Sequence, residues 1–283
     1  MAHKRNKDKY TKDKIIIPPT TLNIPMALLQ SEKTPPQKQK DALERVKTGI
    51  QGLDTILNGG IPKNTVTLIS GPPGSGKTIL CYNFLYQGAQ EGDKCLFLTL
   101  DKKVEGLLSQ AKELDIDFQP WIQKAQIKFL FLNINKKLIY ETMTNEILSG
   151  EYDRIVLDSI TPLSEMPIYL RNAEIKRSSD INIIDPEDFN ADENFPVRRL
   201  HLHYIMNALE TANCTSLVTS ELPVGSNSLS RDGISEFIAD GVIVLSLDST
   251  MDRRKLTVHK MRSTKHTLKP QDIEITKGGI KFR

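Results

Sequence analysis

Residues 71–78 read Gly71-Pro72-Pro73-Gly74-Ser75-Gly76-Lys77-Thr78, with Gly71, Gly76, Lys77 and Thr78 at the fixed positions of the pattern G-x-x-x-x-G-K-[ST]. Glycines let a backbone curl until successive N–H groups point at one centre, and such a nest holds anions. An ammonium beside the nest reaches the outer oxygens of a polyphosphate, and the next hydroxyl takes a place on a divalent cation. These types at this spacing predict a nucleoside-triphosphate site. In it Lys77 contacts the outer phosphates, Thr78 contacts Mg²⁺, and Pro72, Pro73, Gly74, Ser75 and Ile79 supply the rest of the cradle.

The flanking residues suit the task. Val66-Thr67-Leu68-Ile69-Ser70 is a β-rich run that would end at the loop, and Ile79 to Leu85 is apolar at helical spacing. A helix starting there turns its positive end toward the phosphates. Farther on, Arg154-Ile155-Val156-Leu157-Asp158 is an apolar strand ending in an acid, so Asp158 is the candidate partner of Thr78 on the metal. From Val46 onward strands and helices alternate, the pattern of a parallel sheet covered by helices. Strands are expected at 95–100, 127–132, 215–221 and 241–247, and helices at 104–114, 138–148 and 197–211. Two closing strands are expected at 255–262 and 272–282, the second broken by a turn at Gly278-Gly279.

Composition bounds the remainder. At 283 residues with 39% hydrophobic and 26% charged content, the chain has the make-up of a globular protein. A net charge of +3 is too small to argue for nucleic acid. Cys81, Cys95 and Cys214 lie far apart among apolar residues and read as reduced core residues of a cytoplasmic protein. No apolar run is long enough for a bilayer, and no signal peptide opens the chain.

Residues 1–44 form a basic, proline-containing tail, disordered or used for docking, and the folded domain is expected over 45–283. Between about 165 and 196 regular periodicity stops and acids such as Asp185, Glu187 and Asp188 dominate, which predicts an inserted mobile segment. His201 and His203 fall on different faces of the following helix and read as surface residues, and Trp121 as part of a surface connection.

Several runs together resemble the KaiC-like branch of the RecA-superfamily ATPases, in single-domain form. They are Thr48-Gly49-Ile50 with Gly59-Gly60-Ile61-Pro62, the loop, Leu98-Thr99-Leu100-Asp101, Leu157-Asp158-Ser159, Gly233 to Asp240, and Lys260-Met261-Arg262-Ser263-Thr264-Lys265-His266. The resemblance implies an α/β fold with a RecA-like core, a mostly parallel twisted sheet flanked by helices and completed by C-terminal antiparallel strands. It also implies ATP with Mg²⁺, bound between the subunits of a homo-oligomeric, usually hexameric, ring. On this chain Lys260, Met261, Arg262, Thr264 and His266 would then complete a neighbour's site, with Lys260 and Arg262 joining Lys77 and Asp101 in catalysis.

Two departures matter. The family places two glutamates where this chain has Asp101-Lys102, so ATP hydrolysis is expected to be slow. The acceptor positions for self-phosphorylation read Glu236 and Phe237, so that reaction is not expected. The leading reading is a regulatory or scaffold ATPase, with a protein partner on the tail or the acidic insertion. The alternative resembles the archaeal RadA paralogs, DNA-repair accessories that bind single strands. An acidic insertion at the inner face of the ring opposes it, because phosphate backbones need Lys and Arg.

Overall fold

The computed structural model describes residues 43–134, 139–166, 168–171, 181–183, 194–196, 198–248 and 250–283. Within Leu43–Arg283, β1 (Arg45–Val46) and β2 (Ile61–Pro62) pair antiparallel around α1 (Gln51–Ile56). β3 (Val66–Gly71) runs into the glycine-rich loop and α2 (Lys77–Glu91) leaves it. The alternation continues with β4 (Cys95–Thr99), α3 (Val104–Glu113), α4 (Gln119–Gln123), β5 (Ile127–Phe131), α5 (Ile139–Ser149) and β6 (Arg154–Asp158). Then come α6 (Thr161–Glu165) and three short strands, β7 (Ile168–Arg171), β8 (Ile181–Ile183) and β9 (Asn194–Pro196). The chain closes with α7 (Arg198–Thr211), β10 (Thr215–Glu221), α8 (Ser235–Ile238), β11 (Gly241–Asp248), β12 (Arg253–Met261), β13 (Gln271–Thr276) and β14 (Gly279–Phe282).

The central sheet has nine strands in the order β14-β13-β12-β11-β3-β10-β6-β4-β5. The six from β11 to β5 are parallel, and β12 to β14 continue antiparallel, as expected. Period-2 alternation explains the unbroken apolar runs. Cys95 and Phe97 point into one core with Leu80 and Phe84 of α2, while Leu96 and Leu98 point into the other with Met143 of α5 and Ile205 of α7. A strand covered on both faces needs apolar residues at every position. β5, at the sheet edge, is less buried and carries Lys128. All three cysteines are buried and free.

Three expectations change. The stretch after Glu165, expected to be a mobile insertion, contains a three-stranded antiparallel sheet in the order β8-β7-β9. Its strands have three or four residues, too few for an alternating pattern to show. The acids that marked this stretch (Asp180, Asp185, Glu187, Asp188, Asp192 and Glu193), like the tail over 1–42 and Leu138 at the expected start of α5, lie outside the described residues. His201 is buried, not on the surface: its Nε2 lies 2.7 Å from the Leu163 carbonyl and its ring meets Tyr140 edge-on. The spacing His201, Ile205, Leu209 put it on the apolar face of α7. Trp121 sits in the short helix α4 and packs edge-to-face on Tyr86.

One polar cluster ties the base of the sheet to its helices. Arg154, 1% exposed, opens β6 and donates to Asp93 and Glu91 (both 2.5 Å) and to the carbonyls of Lys47 and Phe84 (2.7 and 2.9 Å). Its guanidinium also lies over the Phe84 ring. A planar five-donor fork satisfies four acceptors at once, which a lysine cannot do. Arg154→Met removes a donor from two carboxylates and two carbonyls, Glu91 keeping Gln87 and Lys47. It should lower unfolding free energy by about 3 kcal/mol, read as a reduced urea midpoint with an unchanged slope.

Candidate functional site

The loop lies where β3 ends and α2 begins, at the carboxyl ends of the parallel strands. Two glycines there have no substitute. A Cβ on Gly71 would sit 2.4 Å from the Leu245 carbonyl oxygen and 2.8 Å from Ser75 Oγ. Gly76 caps α2 with φ +107°, a left-handed conformation that strains any side chain. Ser75 Oγ is buried beside Gly71 and has no hydrogen-bond partner among the described residues. The N–H groups of the first turn of α2 have no carbonyl ahead of them, so the helix end is an anion site by construction.

The loop walls a cleft of about 290 Å³ lined by Lys77, Thr78, Asp101, Lys102, Asp158 and Glu221, with Gln110 and Ile275 also at its wall. Lys77 is buried and its Nζ donates to the carbonyls of Gly71 (2.8 Å) and Pro72 (3.1 Å). Burial lowers its pKa from the ordinary lysine value, while the negative charges of Glu221 and Asp158 oppose that shift.

Thr78 Oγ1 donates to Asp158 Oδ2 at 2.9 Å, and Thr219 Oγ1 of β10 donates to Asp158 Oδ1 at 2.5 Å. The hydroxyl and carboxylate named from sequence therefore touch, across 80 residues of chain. The peptide bond after Asp158 is cis, and Ser159 Oγ then donates to Asp101 Oδ2 at 3.3 Å. Loss of hydration raises the Asp101 carboxyl above the ordinary aspartate range, the Ser159 bond and the Lys102 cation pulling the other way.

These groups fit a magnesium nucleotide. Mg²⁺ takes hard oxygen ligands and keeps phosphates and waters in its shell, so one hydroxyl and one carboxylate suffice from the protein. The Gly71–Thr78 backbone, Ser75 and Lys77 would hold the phosphates, and Thr78 and Asp158 the metal, whose charge would neutralise oxygens of the terminal phosphates.

The second group of expected site residues lies apart from this cleft. Lys260, at the end of β12, donates to the carbonyls of Ala239 (2.5 Å), Glu236 (3.1 Å) and Phe237 (3.4 Å) around α8, and Arg262 pairs with Asp240 at 2.8 Å. Met261 is buried in the core and presents no side chain outward. Thr264 Oγ1 accepts from Arg45 Nη1 at 3.0 Å, and Asn58 donates to the Lys265 carbonyl at 3.0 Å. His266 is exposed. None of the five lines the cleft of the same chain. The Thr48–Pro62 lead-in and the Lys260–His266 run, separate in sequence, are thus adjacent in space.

Sequence reading missed Asn83, which pins the closing hairpin to α2: it donates to the Gly278 carbonyl (2.7 Å) and accepts from the Ile280 N–H (3.0 Å). That hairpin carries Ile275 to the cleft wall. Its only sequence signal was an asparagine inside the apolar run from Ile79 to Leu85. Glu221, noted as an acid ending a strand, proves to be a cleft residue.

A family model described as KaiC ATPase matches residues 46–283. A UPF0273 protein of Methanopyrus kandleri is 30% identical over 247 residues, which cover 85% of this chain and 92% of the relative. The circadian clock protein KaiC3 of Synechocystis is 28% identical over 231 residues, 81% of this chain and 43% of that longer protein. Among solved structures, a KaiC-like protein of Pyrococcus horikoshii superposes with a TM-score of 0.66 at 29% identity, covering 86% of this chain and all of the other.

The cleft electrostatics can be measured. The Asp101 carboxyl, followed by its ¹³C shift, should titrate above the ordinary value of about 3.9 and higher still in Lys102→Ala, which removes a nearby cation. A raised folded pKa means that ionised Asp101 costs stability above that pKa, and the cost fades as pH falls through it. Asp101→Asn should therefore leave stability at pH 7 unchanged or slightly higher. A midpoint at or below 3.9 would contradict the upward shift that partial loss of hydration and the nearby Glu221 and Asp158 impose on this group.

Proposed function

The chain belongs to the KaiC ATPase family, and from that premise we propose that it is an ATP-binding, slowly hydrolysing regulatory or scaffold ATPase that assembles into a ring, each nucleotide shared by two copies. The observation that carries this reading is the separation of the two basic sets. Lys77 stands inside the cleft with the Thr78–Asp158 pair, whereas Lys260 and Arg262 project near α8 of the same chain and away from it. Charge spread over a transferring phosphoryl group calls for a cation beyond Lys77 and Mg²⁺. Lys102 of the same cleft is one such cation, and a neighbouring copy is the source that also gives Lys260 and Arg262 a use.

Their present partners suit a delivery role. Arg262 gives one of its five donors to a carboxylate and keeps others to spare, whereas Lys260 spends its three on carbonyls and would exchange the longest of these bonds, 3.4 Å to Phe237, for a phosphate oxygen. β12 lies inside the sheet between β11 and β13, and the lead-in braces the run that follows it through Arg45 and Asn58. A rigid support is what a group acting across an interface needs.

For hydrolysis, Asp101, at the position of the family's first glutamate, is the carboxylate we assign to orient water. It is shorter by one methylene than the family's glutamate, which argues for slow turnover.

Phosphate release from Mg-ATP tests the reading. Asp101→Asn should fall below the native protein by roughly 10²-fold. Lys77→Ala and Arg262→Ala should each be inactive, and an equal mixture of the two should regain turnover, since one copy keeps the loop and the other the arginine. A mixture no more active than its components would contradict a shared site, and an Asp101→Asn rate equal to the native one would contradict hydrolysis by this group.

A further inference from the structure

Resting on the nucleotide reading above, we infer that Lys102 contacts the terminal phosphate and makes the site prefer a nucleoside triphosphate over the corresponding diphosphate. The two lysines of the cleft differ in how they are held. The Lys77 ammonium is engaged by two loop carbonyls. Lys102 has the opposite arrangement, a fixed backbone and a free head. Its N–H donates to Thr99 Oγ1 and its carbonyl accepts from the same hydroxyl, both at 3.2 Å. Thr99 is buried and stands opposite Asp158 in the parallel register of β4 and β6. The Lys102 side chain is exposed at the cleft and forms no ion pair among the described residues.

Charge points the same way. The cleft gathers the carboxylates of Asp101, Asp158 and Glu221 against the ammoniums of Lys77 and Lys102. A triphosphate brings negative charge that a diphosphate lacks. On the loop side of the cleft the backbone N–H groups suit the phosphates common to both nucleotides, and Lys77 reaches from there toward the outer ones. Lys102 comes from the turn after β4 beside Asp101, a different wall, and adds a second cation facing the additional group. A lysine there also carries a kinetic consequence. A cation that grips the terminal phosphate in the ground state as firmly as in the transition state tightens binding without speeding the reaction. The residue is thus a specificity-determining one whose presence favours a long-lived triphosphate state.

The test is calorimetric titration of ADP and of its non-hydrolysable β,γ-imido triphosphate analogue, each with Mg²⁺, into the native chain, Lys102→Ala, Lys102→Arg and the neighbouring control Lys103→Ala. Lys102→Ala should lose about ten-fold in the ratio of triphosphate to diphosphate affinity, the scale of one exposed charge-assisted contact, with ADP affinity unchanged. Lys102→Arg should keep the native ratio, and so should Lys103→Ala. Retained ADP binding shows that the variant is folded. Native protein that binds both nucleotides while Lys102→Ala leaves the ratio unchanged, or weakens both equally, would overturn this inference alone. Native protein that binds neither would overturn the nucleotide reading and this inference with it.

Discussion

The site depends on one carboxylate. Asp158 ends β6 and accepts hydrogen bonds from Thr78 on α2 and from Thr219 on β10, so it joins the helix that leaves the glycine-rich loop to two strands of the sheet. Removing either hydroxyl would free a carboxylate oxygen inside a cleft where Asp101 and Glu221 already supply negative charge. The fold arranges everything else around that junction. β3 delivers the loop, the sheet places β4 with Asp101 beside β6, and Asn83 holds the closing hairpin against α2. At the other end of β6, Arg154 performs the matching task, fixing the strand to the C-terminal end of α2 and to the lead-in. A helix secured at both ends gives its N-terminus a fixed aim, which electrostatic preorganisation requires.

The C-terminal antiparallel strands look like an ornament on the parallel sheet until their ends are traced. β12 places Lys260 near α8, and the run that follows is tethered to the lead-in through Arg45 and Asn58. The same extension carries Arg254, whose Nε donates to the Gly74 carbonyl in the loop. One strand therefore touches the phosphate loop near its start and presents Lys260 near its finish. On the proposed shared site this makes β12 a physical link between the nucleotide a subunit holds and the cation it offers to its neighbour.

Much of this was legible in the sequence, for identifiable reasons. Short-range rules found the loop, because the glycine positions are dictated by Cβ clashes and left-handed backbone. They found the central strands as well, because a doubly covered strand must be apolar throughout. The pairing of Thr78 with Asp158 followed from the phosphate-loop pattern, in which an apolar strand downstream of the loop ends in a metal-binding acid. What escaped depended on packing at long range or on too few residues. His201 looked polar by type and is buried by helical phase. Strands β7, β8 and β9 are too short to alternate. Nothing local in Asn83 announces that it grips a hairpin almost 200 positions away. The adjacency of the lead-in and the Lys260–His266 run was invisible for the same reason: two motifs noticed separately are one braced unit.

The measurement that tests the account most directly is molar mass in solution by light scattering, with and without Mg-ATP, for the native chain and for Arg262→Ala. A nucleotide shared between copies predicts a native mass several-fold higher with Mg-ATP, and an Arg262→Ala mass that stays low in its presence. A native chain with the same monomeric mass in both conditions would contradict the shared site, leaving Lys260 and Arg262 with no neighbouring phosphate to reach.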